Sequence, residues 1–232
     1  AFPGMSLPTV EQDLRLRLAA LHPTAILYYP TPPQYLDLDG LPTPARPDSS
    51  GSGPAHPVRQ SSRFAARAAN QLKSMLPPIA DLLRRREIAA LRRNLPPDSL
   101  FTTVPAARVD AFERDLRRLV GTIRQIGATP LLATHANGFL SETPMSPSVL
   151  RAWERFYPRA TGATLVAFDS AASVRIRQVA ADSAVALVDP WQAFHGLPAP
   201  TYFADFSHFT DAGAARMASL VMPEARTALG CK

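Results

Sequence analysis

The stretch Tyr202-Phe203-Ala204-Asp205-Phe206-Ser207-His208-Phe209-Thr210-Asp211-Ala212-Gly213 runs directly into an apolar-periodic segment that reaches Leu229. An Asp three residues before a His, on a turn feeding a helix, can accept the Nδ1 proton of that imidazole and leave Nε2 free as a general base. Those are two of the three members of a hydrolytic triad. The plainer alternative is a His and an Asp that do no more than cap the helix.

Working outward, the chain upstream of this stretch alternates apolar runs with helical periodicity. Val185 to Val188 is a short apolar run ending at Asp189-Pro190, which predicts a buried strand. Before it, Thr161 to Ala181 and Ser146 to Tyr157 read as helices. Thr129 to Thr134 predicts a second strand, and Val104 to Ile126 is the clearest helix in the chain, closed by Gly127. Its apolar face is Val109, Phe112, Leu116, Leu119, Val120 and Ile123. Thr24 to Tyr29 predicts a third strand. Ahead of it, Val10, Leu14, Leu18 and Leu21 form a stripe at 3.6-residue spacing with Thr9 as N-cap. Helix and strand in alternation imply an α/β class with a parallel sheet.

With these residues in view, the chain resembles the SGNH/GDSL hydrolase family, whose last motif block is an Asp-x-x-His just before the final helix. Asp205, His208, Thr210 and Gly213 sit where that block places them. The resemblance implies a flavodoxin-like three-layer α/β/α fold of SGNH hydrolase type around a parallel sheet. It also implies that His208 is the general base and Asp205 its orienting carboxylate. The opening Ala1-Phe2-Pro3-Gly4-Met5-Ser6 looks like the family's second block, in which a Gly, here Gly4, offers its backbone N–H to an oxyanion.

Two family features are absent. No Gly-Asp-Ser occurs in the chain, so the expectation is a single hydrolase-like domain over residues 1–232, with an N-terminal strand-helix-strand unit and its nucleophilic Ser lying upstream. The strand Thr24 to Tyr29 runs into Pro30-Thr31-Pro32-Pro33-Gln34-Tyr35 where the family has an oxyanion Asn. Proline has no N–H to give, which leaves Thr31 or Gln34 as substitutes. Val166-Ala167-Phe168-Asp169-Ser170 superficially imitates a strand followed by Asp-Ser. Helical spacing of Leu165, Phe168, Ala172, Ile176 and Val179 runs straight through it, so Asp169 and Ser170 are read as a polar helix face.

His135-Ala136-Asn137-Gly138 follows the Thr129 to Thr134 strand at the edge where α/β sheets place ligands. His135 and Asn137 are read either as substrate contacts or as a pair that stabilises the loop. No metal is expected, because nothing in the spacing of His135, His195, Asp205 and His208 demands convergence. No cofactor is expected either, since no Gly-rich phosphate loop follows any strand.

Residues 37–97 read as an insertion within the domain: a Pro/Gly/Ser-rich loop from Asp37 to Pro57, then helices from about Gln60 to Met75 and Ile79 to Arg93. Nine basic residues (Arg59, Arg63, Arg67, Lys73, Arg84, Arg85, Arg86, Arg92, Arg93) face only Asp81 and Glu87 there. That one segment accounts for the net charge of +6 and leaves the rest of the 232-residue chain near neutral. It is read as a solvated face, a lid, or a contact for an anionic surface. Phe64 is the one aromatic residue among the basic positions, which argues against nucleic acid as partner.

The composition, 46% apolar and 19% charged, is that of a globular chain. No apolar run approaches the roughly 18 residues of a membrane span. Cys231 is the only cysteine, so there is no internal disulfide. Localisation and oligomeric state are left open. The expected activity is hydrolysis of a small-molecule or carbohydrate ester. A catalytically degenerate scaffold and a binding module working through the basic insert are the alternatives.

Overall fold

A computed structural model describes residues 6–37, 77–93, 95–96, 99–141 and 143–230. Gly4, most of the predicted Pro-rich loop, the predicted helix Gln60 to Met75 and Cys231 lie outside these residues.

The described chain is mixed α/β with a three-stranded parallel sheet. Strands β1 (Ala25–Tyr28), β2 (Thr129–Ala133) and β3 (Ala186–Val188) lie in the order β1-β2-β3. Leu27 stands opposite Leu131, and Leu132 opposite Leu187. The helices are α1 (Leu7–Asp13), α2 (Pro77–Arg93), α3 (Ala106–Gln125), α4 (Pro147–Phe156), α5 (Gly162–Asp182), α6 (Pro190–Phe194), α7 (Ala199–Tyr202) and α8 (Asp211–Ala228). None of the described helices is long and apolar enough to cross a membrane.

The predicted face of α3 is the face that is buried: Phe112, Leu116, Leu119 and Ile123 join Leu165, Phe168, Ala172, Ile176 and Val179 of α5 in one core. Leu132 of β2 belongs to the same core. Successive strand residues alternate between faces, so its neighbours Leu131 and Ala133 point the other way. Helix α8 lies against β2 and β3.

Four local expectations are corrected. After Asp13 the first helix passes into a π-helical segment, Leu14–Leu18, and a 3-10 turn, Ala19–Leu21. A π-helical turn takes an extra residue, which rotates the stripe: Leu14 is buried, whereas Leu18 and Leu21 are 36% and 73% exposed. Ser6, not Thr9, flanks the start of α1, and the two hydroxyls are hydrogen-bonded to each other at 2.9 Å. The apolar spacing of the closing helix predicts Ala214, Met217, Leu220 and Val221 inward, but Ala214 on α8 is exposed and the other three are only partly buried. Finally, Asp37 is not loop. It ends a 3-10 segment, Pro32–Asp37, that turns Tyr35 and Leu36 into the core, with the Tyr35 hydroxyl donating to Asp115 at 2.7 Å.

Candidate active site

The segment between α7 and α8 is a closed loop pinned by its own backbone. Phe203 and Phe209 form an antiparallel bridge, the Ala204 N–H donates to the His208 carbonyl at 2.8 Å, and the Thr210 N–H donates to the Tyr202 carbonyl at 3.0 Å. The Thr210 hydroxyl then accepts from the Gly213 N–H and caps α8. Gly213 is required there: a Cβ would run into the Tyr202 carbonyl and into Phe209. Within the loop, Asp205 Oδ1 accepts from the backbone N–H of both Ser207 and His208 at 2.9 Å. Its other oxygen, Oδ2, meets His208 Nδ1 at 2.7 Å.

With a carboxylate against it, Nδ1 is the protonated nitrogen, and Nε2 is left with its lone pair. Partial burial pushes the Asp205 carboxyl up. The two backbone donors and the His208 imidazole together outweigh that and hold it below the ordinary carboxylate value. The His208 side chain is 77% exposed, so Nε2 faces open space, and no described serine hydroxyl is hydrogen-bonded to it.

The loop stands at the C-terminal edge of the sheet. The Gly138 N–H, beyond the end of β2, donates to the Phe206 carbonyl at 3.0 Å. A Cβ at Gly138 would press on the Asp205 carbonyl and on Met145. Tyr29, just after β1, lies 6.5 Å from Phe209, ring to ring. Phe206 itself is held in a run of rings: it stacks on Trp153 at 5.5 Å, and Trp153 stacks on Phe139 at 6.0 Å.

His135 and Asn137 are not beside His208. His135 is 3% exposed and Asn137 1%, and both side chains turn inward to Asp169 of α5, which is fully buried. His135 Nδ1 meets Asp169 Oδ1 at 2.8 Å, and Asn137 Nδ2 donates to Oδ2 at 2.6 Å. The Asn137 side-chain oxygen, Oδ1, accepts from the Phe139 N–H at 2.9 Å. Tyr29 bridges the same loop, its hydroxyl accepting from the Ala136 N–H and donating to the Ala136 carbonyl. Burial, with the Asp169 carboxylate adding to it, pushes the Tyr29 hydroxyl well above its ordinary value and keeps it neutral.

Asp169 therefore does not lie on a polar helix face; it is the anchor of the β2 loop. The signal was present in the sequence, since position 169 falls one turn after Leu165 on the apolar stripe of α5. Ser170 points aside, and its hydroxyl donates to the Val166 carbonyl one turn back, at 3.0 Å.

Thr31 and Gln34 follow β1 at the same sheet edge as the dyad, Thr31 exposed and Gln34 buried in the 3-10 segment. At the end of β3, Asp189 caps α6 and is held by Arg177 and by the Thr134 hydroxyl. Burial raises that carboxyl, but Arg177 and Thr134 bring it below its ordinary value. His195 stacks on Trp191 at 5.2 Å. Among the described residues no group of three or more His, Cys, Asp or Glu side chains is arranged to hold a metal.

Compared with protein-family models, with curated proteins and with solved structures, the chain finds no match.

Proposed function

We propose that the chain is part of an ester hydrolase of SGNH/GDSL type, with three-layer flavodoxin-like organisation, in which His208 is the general base and Asp205 its orienting partner. The single observation that carries this is the Asp205–His208 pair, with Nδ1 engaged and Nε2 open, at the C-terminal edge of a parallel sheet. The consecutive order β1-β2-β3, with core residues alternating across β2, supports the layered fold.

In this reading a serine upstream of Ala1 attacks the ester carbonyl. His208 Nε2 takes the serine proton and returns it to the leaving alcohol; it then takes a proton from the water that attacks the acyl-serine and returns it to the serine oxygen as the acid leaves. Asp205 holds the tautomer and stabilises the imidazolium. By the same resemblance Gly4 supplies an oxyanion N–H, and losing one such donor raises a barrier by about 3 kcal/mol.

A second reading, a catalytically degenerate scaffold, is favoured by the absence of any described serine at His208. Labelling with a serine-directed fluorophosphonate, on the 232-residue chain and on a version extended at its N-terminus, separates the two. The hydrolase reading expects the extended protein alone to be labelled and to turn over short-chain esters, and expects His208→Ala to abolish turnover. An extended protein that is neither labelled nor active leaves the scaffold.

A further inference from the structure

We propose that the cleft between α2 and α4 binds the carboxylates of an extended acidic glycan and passes that chain over the end of α4 towards His208. The second half of this inference rests on the hydrolase reading; the first does not.

The cleft has a volume of about 510 Å³ and is lined by Arg85, Arg92, Arg93, Arg151 and Glu154 over Ile88, which is buried. Among the described residues its arginines outnumber the carboxylates that meet them. Asp81 is a shared partner, bound by Arg85 at 3.1 Å and also by Arg151. Glu154 lies 3.7 Å from Arg92 and also accepts from the Gly162 N–H. Among the described residues three of the four guanidiniums thus share two carboxylates, and Arg93 meets neither. Arg92 is held in place by the Pro158 and Ala160 carbonyls at 3.0 and 2.9 Å. A concave site with several fixed guanidinium forks and a surplus of positive charge suits planar carboxylates in series.

An anionic membrane is the weaker occupant. The described side chains of α2 offer only Leu82 and Leu83 as exposed large apolar anchors, and a concave site does not lie flat on a bilayer.

The cleft and the dyad share α4. Arg92 reaches the Pro158 carbonyl just past the end of that helix, and Phe156, its last residue, is 52% exposed. The Phe156 ring lies 5.5 Å from Phe206, and Phe206 lies 6.5 Å from His208. A chain seated on the arginines therefore meets an exposed ring and then the open Nε2, over a helix end on the order of 10 Å across.

Fluorescence anisotropy of a labelled oligogalacturonate tests the cleft. Saturable binding is expected, weakened tenfold or more by Arg93→Glu and by Arg85→Gln. Arg226→Glu, at the exposed far end of α8, should leave it unchanged. Circular dichroism of each variant checks that the fold is kept. No binding, an equal loss in Arg226→Glu, or binding to phosphatidylserine vesicles with none to oligogalacturonate would each overturn the assignment. Intact binding in a protein that hydrolyses no ester removes the hydrolase reading and leaves the cleft.

Discussion

Asp169→Ala should be strongly destabilising, and its cost can be worked from the structure. The carboxylate has no solvent exposure, and both its oxygens are engaged by buried donors, His135 Nδ1 and Asn137 Nδ2. Removing it strands two donors that water cannot reach, at about 1–3 kcal/mol each. Together the two come to about 4 kcal/mol. With a urea m-value of about 2–3 kcal/mol/M, the midpoint should fall by roughly 1–2 M.

Asp169→Asn keeps the shape and can still accept from one donor, so about half that loss is expected. The damage should also have a direction. The anchored loop delivers the Gly138 N–H to the Phe206 carbonyl, so amide exchange should quicken through residues 203–209 before it does in α3. A urea midpoint for Asp169→Ala within about 0.3 M of the parent would mean that the carboxylate is not the anchor described.

Gly213→Ala forces a Cβ against the Tyr202 carbonyl and Phe209 and should lower stability by roughly 1–3 kcal/mol, read as a drop in melting temperature. His208→Ala removes a side chain that is 77% exposed, so stability should stay within about 0.5 kcal/mol while any ester turnover disappears. The folded-state carboxyls of Asp205 and Asp189 lie below their ordinary value of 3.8. Their stabilisation is therefore fully present above that value and is lost as pH falls through the depressed folded values; urea midpoints should hold from pH 7 to 5 and drop below about pH 4.

Much of the fold is legible in the chain because it is local or periodic. The α3 stripe from Val109 to Ile123 is buried as spaced, since a 3.6-residue repeat leaves an amphipathic helix one face to cover. The pair Asp205 and His208 is legible for the same reason: three residues on one turn bring carboxylate and imidazole within 2.7 Å without help from any distant element.

What tertiary structure decides is whatever depends on partners far along the chain. Asp169 lies on the apolar stripe of α5, but its partners appear only once α5 packs beneath the β2 loop and brings His135 and Asn137, 34 and 32 residues away, onto its two oxygens. The arginines of α2 read as a solvated face until α4 lies alongside and turns them into the wall of a cleft. The stripe of the first helix fails for a subtler cause: a π-helical turn changes the angular step per residue, so Leu18 and Leu21 leave the face that Leu14 occupies. Spacing in a sequence sets angles only for as long as the backbone keeps one period, and it is silent on charges that meet across the fold.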